Sequence, residues 1–302
     1  MSARNWLEYW QFEWARRRGV QLGPPASNPR SKKFGYVKTL EENLFEPISA
    51  RVKQQFIAGA GGELEPPHGE SGNMYAVYSS SALCVNLFHP WSAVDPSRPT
   101  NSSNSVGPLL EACGLPSIPV ASIDFEVPQI VNPEFHTPPH LDVLISFNQG
   151  EWKCAGIESK FCEPYASRKH FGLNPCYLRE KTLWRDWPNV LAFAEKLSPS
   201  DHTHLYLNAP QLLIHLLGLR RHAKEKFVLL YLWFDVPGTE QADRHRQEIA
   251  SFGEILRTDG IAFVSRTYQD VFQFLRNRAS HSAHTTYLVD RYLDESPIGE
   301  NS

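Results

Sequence analysis

PPHLDVLISFNQGEWKCAGIESKFCE, residues 138–163, holds two short apolar runs, Leu141–Phe147 and Lys153–Phe161, on either side of the turn-forming Asn148-Gln149-Gly150. Two β-rich runs joined by a short glycine-containing loop predict an antiparallel hairpin. Side chains alternate along a strand, so Leu141, Val143 and Ile145 are assigned to one face, with Asp142 and Leu144 on the other. On the second strand Ile157, Ser159 and Phe161 share a face, and Glu158 and Lys160 take the opposite one.

A loop centred on Gly150 sets Asp142 across from Glu158. Directly opposed side chains have Cβ atoms about 5 Å apart, and like charges there destabilise a sheet. A half-buried carboxylate pair therefore calls for a cation between its members. Mg²⁺ or Mn²⁺ suits that place, because hard dications take carboxylate oxygens and keep several waters. Lys160 projects from the same face as Glu158, toward any anion the metal binds. Two carboxylates, a metal and a lysine constitute the chemistry for attacking a phosphodiester.

Asp142, followed by Glu158-Ser159-Lys160 on the next strand, resembles the PD-(D/E)xK nuclease superfamily, with His140-Leu141-Asp142 standing where that motif has Pro-Asp. Ser79–Leu83 with Asn86-Leu87-Phe88, Leu141–Leu144, Gly156–Phe161 and Ala209–Leu213 are similar to segments of a bacterial branch of the superfamily. The resemblance spans most of residues 36–293. It implies an α/β fold with a restriction-endonuclease-like core, a mixed sheet flanked by helices. An N-terminal helix and linker (1–35) would precede this core, and a disordered tail (294–302) would follow it. It further implies a Mg²⁺-dependent nuclease, with DNA rather than RNA the expected substrate. Asp142, Glu158 and the backbone carbonyl of Ser159 would hold the metal. Lys160 would position the nucleophile and stabilise charge on the phosphate.

In such proteins an early helix often donates a further acidic residue. Glu41, Glu42 and Glu46 lie on a predicted helix, and Glu63 follows in Gly59–Leu64. Glu63 is preferred, since its small neighbours let backbone and ligand approach closely. A polar residue, often Gln, on the helix after the Glu-x-Lys strand makes Gln211 a candidate nucleic-acid contact, set against a plain helix N-terminal role. The alternative to an enzyme is a nucleic-acid-binding subunit of the same fold without catalysis.

Composition bounds these readings. With 302 residues, 41% hydrophobic and 12% aromatic, the chain can bury a sizeable core. A formal net charge of −3 confines nucleic-acid contact to a local patch. Five cysteines without a CxxC spacing fit a reducing compartment, and His202-x-His204 lacks the further ligands of a zinc site. No apolar run approaches a membrane span and the charged N-terminus is unlike a signal peptide, so a cytoplasmic address is expected. Symmetric double-strand cutting would suggest a homodimer.

Along the chain, Leu7, Trp10 and Trp14 predict an amphipathic helix over Asn5–Gly19. Tyr36–Ala58 has helical spacing, a capping box from Thr39 to Glu42, and Pro47 where a break is expected. Ser79 or Ser80 caps a helix through Phe88, and no GxSxG elbow accompanies these serines. Asp95–Pro119 reads as a long excursion and Ile123–Ile130 as a strand; Glu126 would lie near the site if this strand pairs with the hairpin, with an edge carboxylate the preferred reading. Tyr165–Lys181 mixes cations with aromatics, a pattern suited to tracking a nucleic-acid backbone, with Arg168 and Lys169 as candidate contacts. Helices are predicted over Thr182–Leu197, Leu205–Arg221, Glu240–Arg257 and Tyr268–Arg276, with a strand over Ile261–Ser265. Phe227–Phe234, FVLLYLWF, is apolar throughout, as a strand covered on both faces must be.

Overall fold

Five strands form one mixed sheet, and their apolar patterns account for its order. The computed structural model describes residues 1–25, 33–59, 62–64, 72–92, 106–135, 138–166, 170–278 and 282–293. Strands β1 (Val120–Pro128), β2 (His140–Phe147) and β3 (Cys154–Lys160) form an antiparallel meander. A separate two-stranded ribbon pairs β4 (His170–Phe171) with β5 (Ser200–Asp201). Strands β6 (Phe227–Trp233) and β7 (Phe263–Thr267) extend the main sheet in parallel, giving the order β1-β2-β3-β6-β7. β6 is buried at every position, as a strand with helices on both faces must be.

The helices are α1 (Ala3–Arg17), α2 (Ala50–Ala58), α3 (Ser80–Ser92), α4 (Gly107–Ala112), α5 (Pro175–Arg179), α6 (Pro188–Lys196), α7 (Ala209–Ala223), α8 (Glu240–Thr258), α9 (Tyr268–Arg278) and α10 (Ala283–Tyr292). One face of the sheet packs Val143, Ile157, Leu230 and Leu232 against side chains of α2, α3, α4, α9 and α10. The other packs Leu144, Leu229 and Tyr231 against α6, α7 and α8. This is the α/β architecture with a flanked mixed sheet that the sequence predicts, consistent with a restriction-endonuclease-like core.

Several boundaries differ from the predicted ones. Of Tyr36–Ala58, only Ala50–Ala58 is α-helical; the capping box of Thr39 and Glu42 closes a single 3₁₀ turn, Leu40–Glu42. Thr182–Leu197 is broken by Trp187-Pro188 into a 3₁₀ turn, Lys181–Trp184, and α6. α7 starts later than predicted, where Asn208 accepts from the Gln211 N–H as its N-cap. Residues 95–105 of the predicted excursion and the predicted tail, 294–302, lie outside the described residues.

α1 is fastened to the opposite end of the chain. Arg291 of α10 is 3% exposed, with its guanidinium 4.0 Å from the Trp14 ring and 4.8 Å from that of Tyr292. It donates to Gln11 Oε1 at 3.0 Å, to the carbonyl and side-chain oxygens of Asn43 at 2.6 Å each, and to the Val77 carbonyl at 3.0 Å.

His245 of α8 is buried among Tyr165, Tyr231 and Trp233, with Nε2 3.0 Å from the Tyr231 hydroxyl. Burial, reinforced by Arg246, pushes its pKa down to about 3. In the unfolded chain that imidazole titrates near about 6.5. Between those values the unfolded state binds the proton more readily, so stability is full above the upper one and falls with falling pH. Acidifying from about pH 7 to about pH 5 should cost about 2 kcal/mol through this residue. In urea titrations at both pH values, His245→Gln should show a shallower loss than the parent.

Candidate active site

β2 and β3 pair as Val143 with Ile157, Leu144 with Gly156, Ile145 with Ala155 and Ser146 with Cys154. Continued by one residue, that register sets Asp142 across from Glu158, as the turn at Gly150 predicts. Asp142 Oδ2 accepts from the Ser159 N–H at 2.6 Å, which ties the carboxylate to the facing strand.

The predicted alternation of faces fails at one point. Val143, Ile145 and Phe147 belong to the first apolar layer, but Leu141 packs with Leu144 in the second. The partner strand does the same: Phe125 lies in the first layer, while Val127, which pairs with Leu141, packs against the second. Between them Glu126 has φ of +50°, so the pleat is interrupted and both strands change face together. Leu141 therefore does not share a face with Val143 and Ile145. The same kink overturns the reading of Glu126 as an edge carboxylate. It lines a cleft of about 460 Å³ with Asp142, Glu63, Lys160 and the serines that open α3.

Glu158 is 1% exposed and its two oxygens face different partners. Oε1 is paired with the Lys160 ammonium. Oε2 lies 2.9 Å from Nε2 of His215, within ion-pair reach but out of line for a hydrogen bond, and neither His215 nitrogen has a hydrogen-bond partner. His215 is fully buried on α7. α7 comes this close because β3 carries Gly156 there; a Cβ at that position would stand 2.7 Å from Leu219 and 2.9 Å from Leu141. Lys160 thus supplies a cation to the opposed carboxylates, and the His215 imidazole lies against the other oxygen of Glu158.

The electrostatics separate the acids. Burial disfavours charge on Glu158, yet Lys160 and His215 outweigh it and hold its pKa down to about 2. Burial pushes Asp142 well up, and the charge on Glu158 adds to that, against Lys160 and the Ser159 N–H. Glu126 is raised to about 7 by burial and by the neighbouring Glu63 and Glu158. Burial also raises Glu63, against hydrogen bonds to Ser81 and Asn73. For Lys160, burial works against the ammonium, but Glu158 and Asp142 more than offset it and the pKa rises.

A second cleft, of about 530 Å³, adjoins the first, and Lys160 and Glu163 line both. Gln211 borders the second cleft and also serves the start of α7, its Oε1 accepting from Asn208 Nδ2 at 3.1 Å. Arg168 and Lys169 lie outside the described residues. The aromatic and basic residues described around them divide between core, surface and cleft. Tyr165 and Tyr177 are core residues, the Tyr165 hydroxyl donates to the Phe234 carbonyl at 2.9 Å, and Lys181 pairs with Glu195 at 2.6 Å. His170 and Phe171 are what that stretch contributes to a cleft. Among the described residues, no three His, Cys, Asp or Glu side chains come together closely enough to hold a metal ion.

The sequence did not single out His215, and it held Glu126 near the site only as the lesser reading. A lone histidine inside the apolar run Leu212–Leu217 was the available signal for the first. Nothing in the sequence marks the backbone kink that redirects the second.

The family model described as restriction endonuclease associating with ARP matches residues 11–293. The chain belongs to that family. This restriction-endonuclease-like family accounts for the mixed sheet and implies a nucleic-acid substrate. No curated protein and no solved structure matches the chain. Among the described residues no helix of this family member is long and apolar enough to cross a membrane.

Proposed function

We propose that this restriction-endonuclease-like protein is a metal-dependent nuclease of the PD-(D/E)xK kind. It hydrolyses phosphodiester bonds in DNA, with Asp142, Glu158 and Lys160 as its working groups. The observation that carries this reading is the position of Lys160, paired with a buried Glu158 and lining both of two adjoining clefts.

The donor set suits a hard dication, Mg²⁺ or Mn²⁺, because it is made of oxygens. Asp142, Glu158 and the Ser159 carbonyl would hold it. Glu63, whose buried Oε2 has no hydrogen-bond partner, would be a further ligand. When bound, such an ion supplies an activated water and polarises a phosphoryl oxygen. The protein's own groups do the rest. Lys160 keeps Glu158 ionised, the His215 imidazole backs its inner oxygen, the Ser159 N–H fixes Asp142, and Lys160 offers its ammonium to charge developing on the phosphate.

A binding subunit that does not cut is the second reading. It is favoured by the lack, among the described residues, of three converged metal-binding side chains. The family's description also makes ARP a proposed partner. Plasmid incubated with the protein and Mg²⁺ or Mn²⁺ separates the two, with Asp142→Ala as control. Nicked or linear product from the parent alone is the expected result. Retarded but uncut plasmid would establish the binder instead.

A further inference from the structure

We propose that the cleft beside Lys160 receives a nucleobase lifted out of its stack, with Phe171 as the surface on which it stacks. This deepens the nuclease reading and rests on it. The substrate is then a single strand, a flap or a frayed end, rather than the interior of an intact duplex.

Phe171 is 82% exposed, yet it sits on a short paired strand whose neighbours are fixed. The N–H of Gly172 donates to the Pro199 carbonyl at 2.9 Å and that of Leu173 to Ser198 Oγ at 3.0 Å. Gly172 lies so close to this segment that a Cβ would meet the Leu197 carbonyl oxygen at 2.5 Å. The phenyl ring is thus presented to solvent from an anchored backbone. Burying such a ring against a base costs little ordering entropy.

The ring borders the cleft of about 530 Å³ that also has Lys160, His170, Tyr206, Gln211 and Ile214 on its walls. That volume lies within the range of small-ligand sites and holds one nucleotide. Its polar groups suit a base edge. Gln211 Oε1 is already taken by Asn208, which leaves its amide N–H groups to donate. Nε2 of His170 is buried without a partner. A phenyl face offers no hydrogen bonds and so accepts any base, and it can stack only where the base face is uncovered. In a duplex interior those faces are covered, and exposing one requires extrusion of the nucleotide. Lys160 faces the same cleft, so the phosphate attached to the held base falls to the candidate active site.

The test uses the full chain with a chelator present, so that no cleavage intervenes. Binding is measured to single-stranded DNA and RNA oligonucleotides containing 2-aminopurine and to a duplex of the same sequence. The parent should prefer a single strand and change the 2-aminopurine emission. Phe171→Ala should weaken single-strand binding about tenfold, leave duplex binding within about twofold and leave thermal unfolding unchanged. Phe171→Trp should restore single-strand binding. Whether DNA or RNA responds identifies the sugar. Equal single-strand affinity of Phe171→Ala and the parent would overturn the proposal, as would an equal loss on single strand and duplex. A Phe171 effect without any cleavage in Mg²⁺ or Mn²⁺ would remove the nuclease reading and keep the base site. Cleavage without a Phe171 effect would do the reverse.

Discussion

Lys160→Ala should lower phosphodiester cleavage by about 10²- to 10³-fold, the usual cost of removing one group that stabilises charge in a transition state. The structure adds a second expectation. Lys160 is the nearer counter-charge of Glu158, and its loss leaves that buried carboxylate with His215 alone. An uncompensated buried charge is costly, so the apo variant should be less stable than the parent. A bound dication would replace the missing charge. Mg²⁺ or Mn²⁺ should therefore raise the melting temperature of Lys160→Ala more than that of the parent. Thermal unfolding with and without metal, beside a cleavage assay, reads both effects. Undiminished cleavage would refute the role given to Lys160.

Arg291→Ala should lose about 3–5 kcal/mol of stability, the scale expected when one partner leaves a buried charged network. The guanidinium joins Gln11 and Trp14 of α1 to Asn43 and Val77, so truncation leaves several buried acceptors unpaired at once. Arg291→Lys keeps the charge but not the planar fork, and should recover only part of the loss. Urea unfolding gives the magnitude. Limited proteolysis should release α1 early in the alanine variant, and a loss below about 1 kcal/mol would mean the network is not what fastens that helix.

Much of the sheet was legible because strand signals are short-range. The apolar alternation around Gly150 gave the hairpin and its register, and FVLLYLWF gave the buried strand. What escaped depends on tertiary contacts. Leu141 follows the alternation in sequence but not in space, because Glu126 interrupts the pleat of the neighbouring strand. Tyr165 and Tyr177 look like nucleic-acid contacts among cations, yet both fill the core. His215 is hidden in an apolar helix stripe, where periodicity speaks only of burial. α10 was not foreseen at all, although Ser282 caps it through the Thr285 N–H. For the candidate site, Asp142, Glu158, Lys160 and Glu63 were legible as residues. Glu126 was legible only as a lesser alternative until the kink placed it, and His215 became apparent only through a helix packed on Gly156.

The left-handed backbone at Glu126 has a cost of its own. A non-glycine residue held there gives up about 1–2 kcal/mol that glycine would not. The chain nonetheless keeps an acid at that position, on a strand that would fold more comfortably without one. Local conformational comfort is surrendered where it brings a carboxylate beside Asp142, the sort of trade in which activity is retained and robustness forgone.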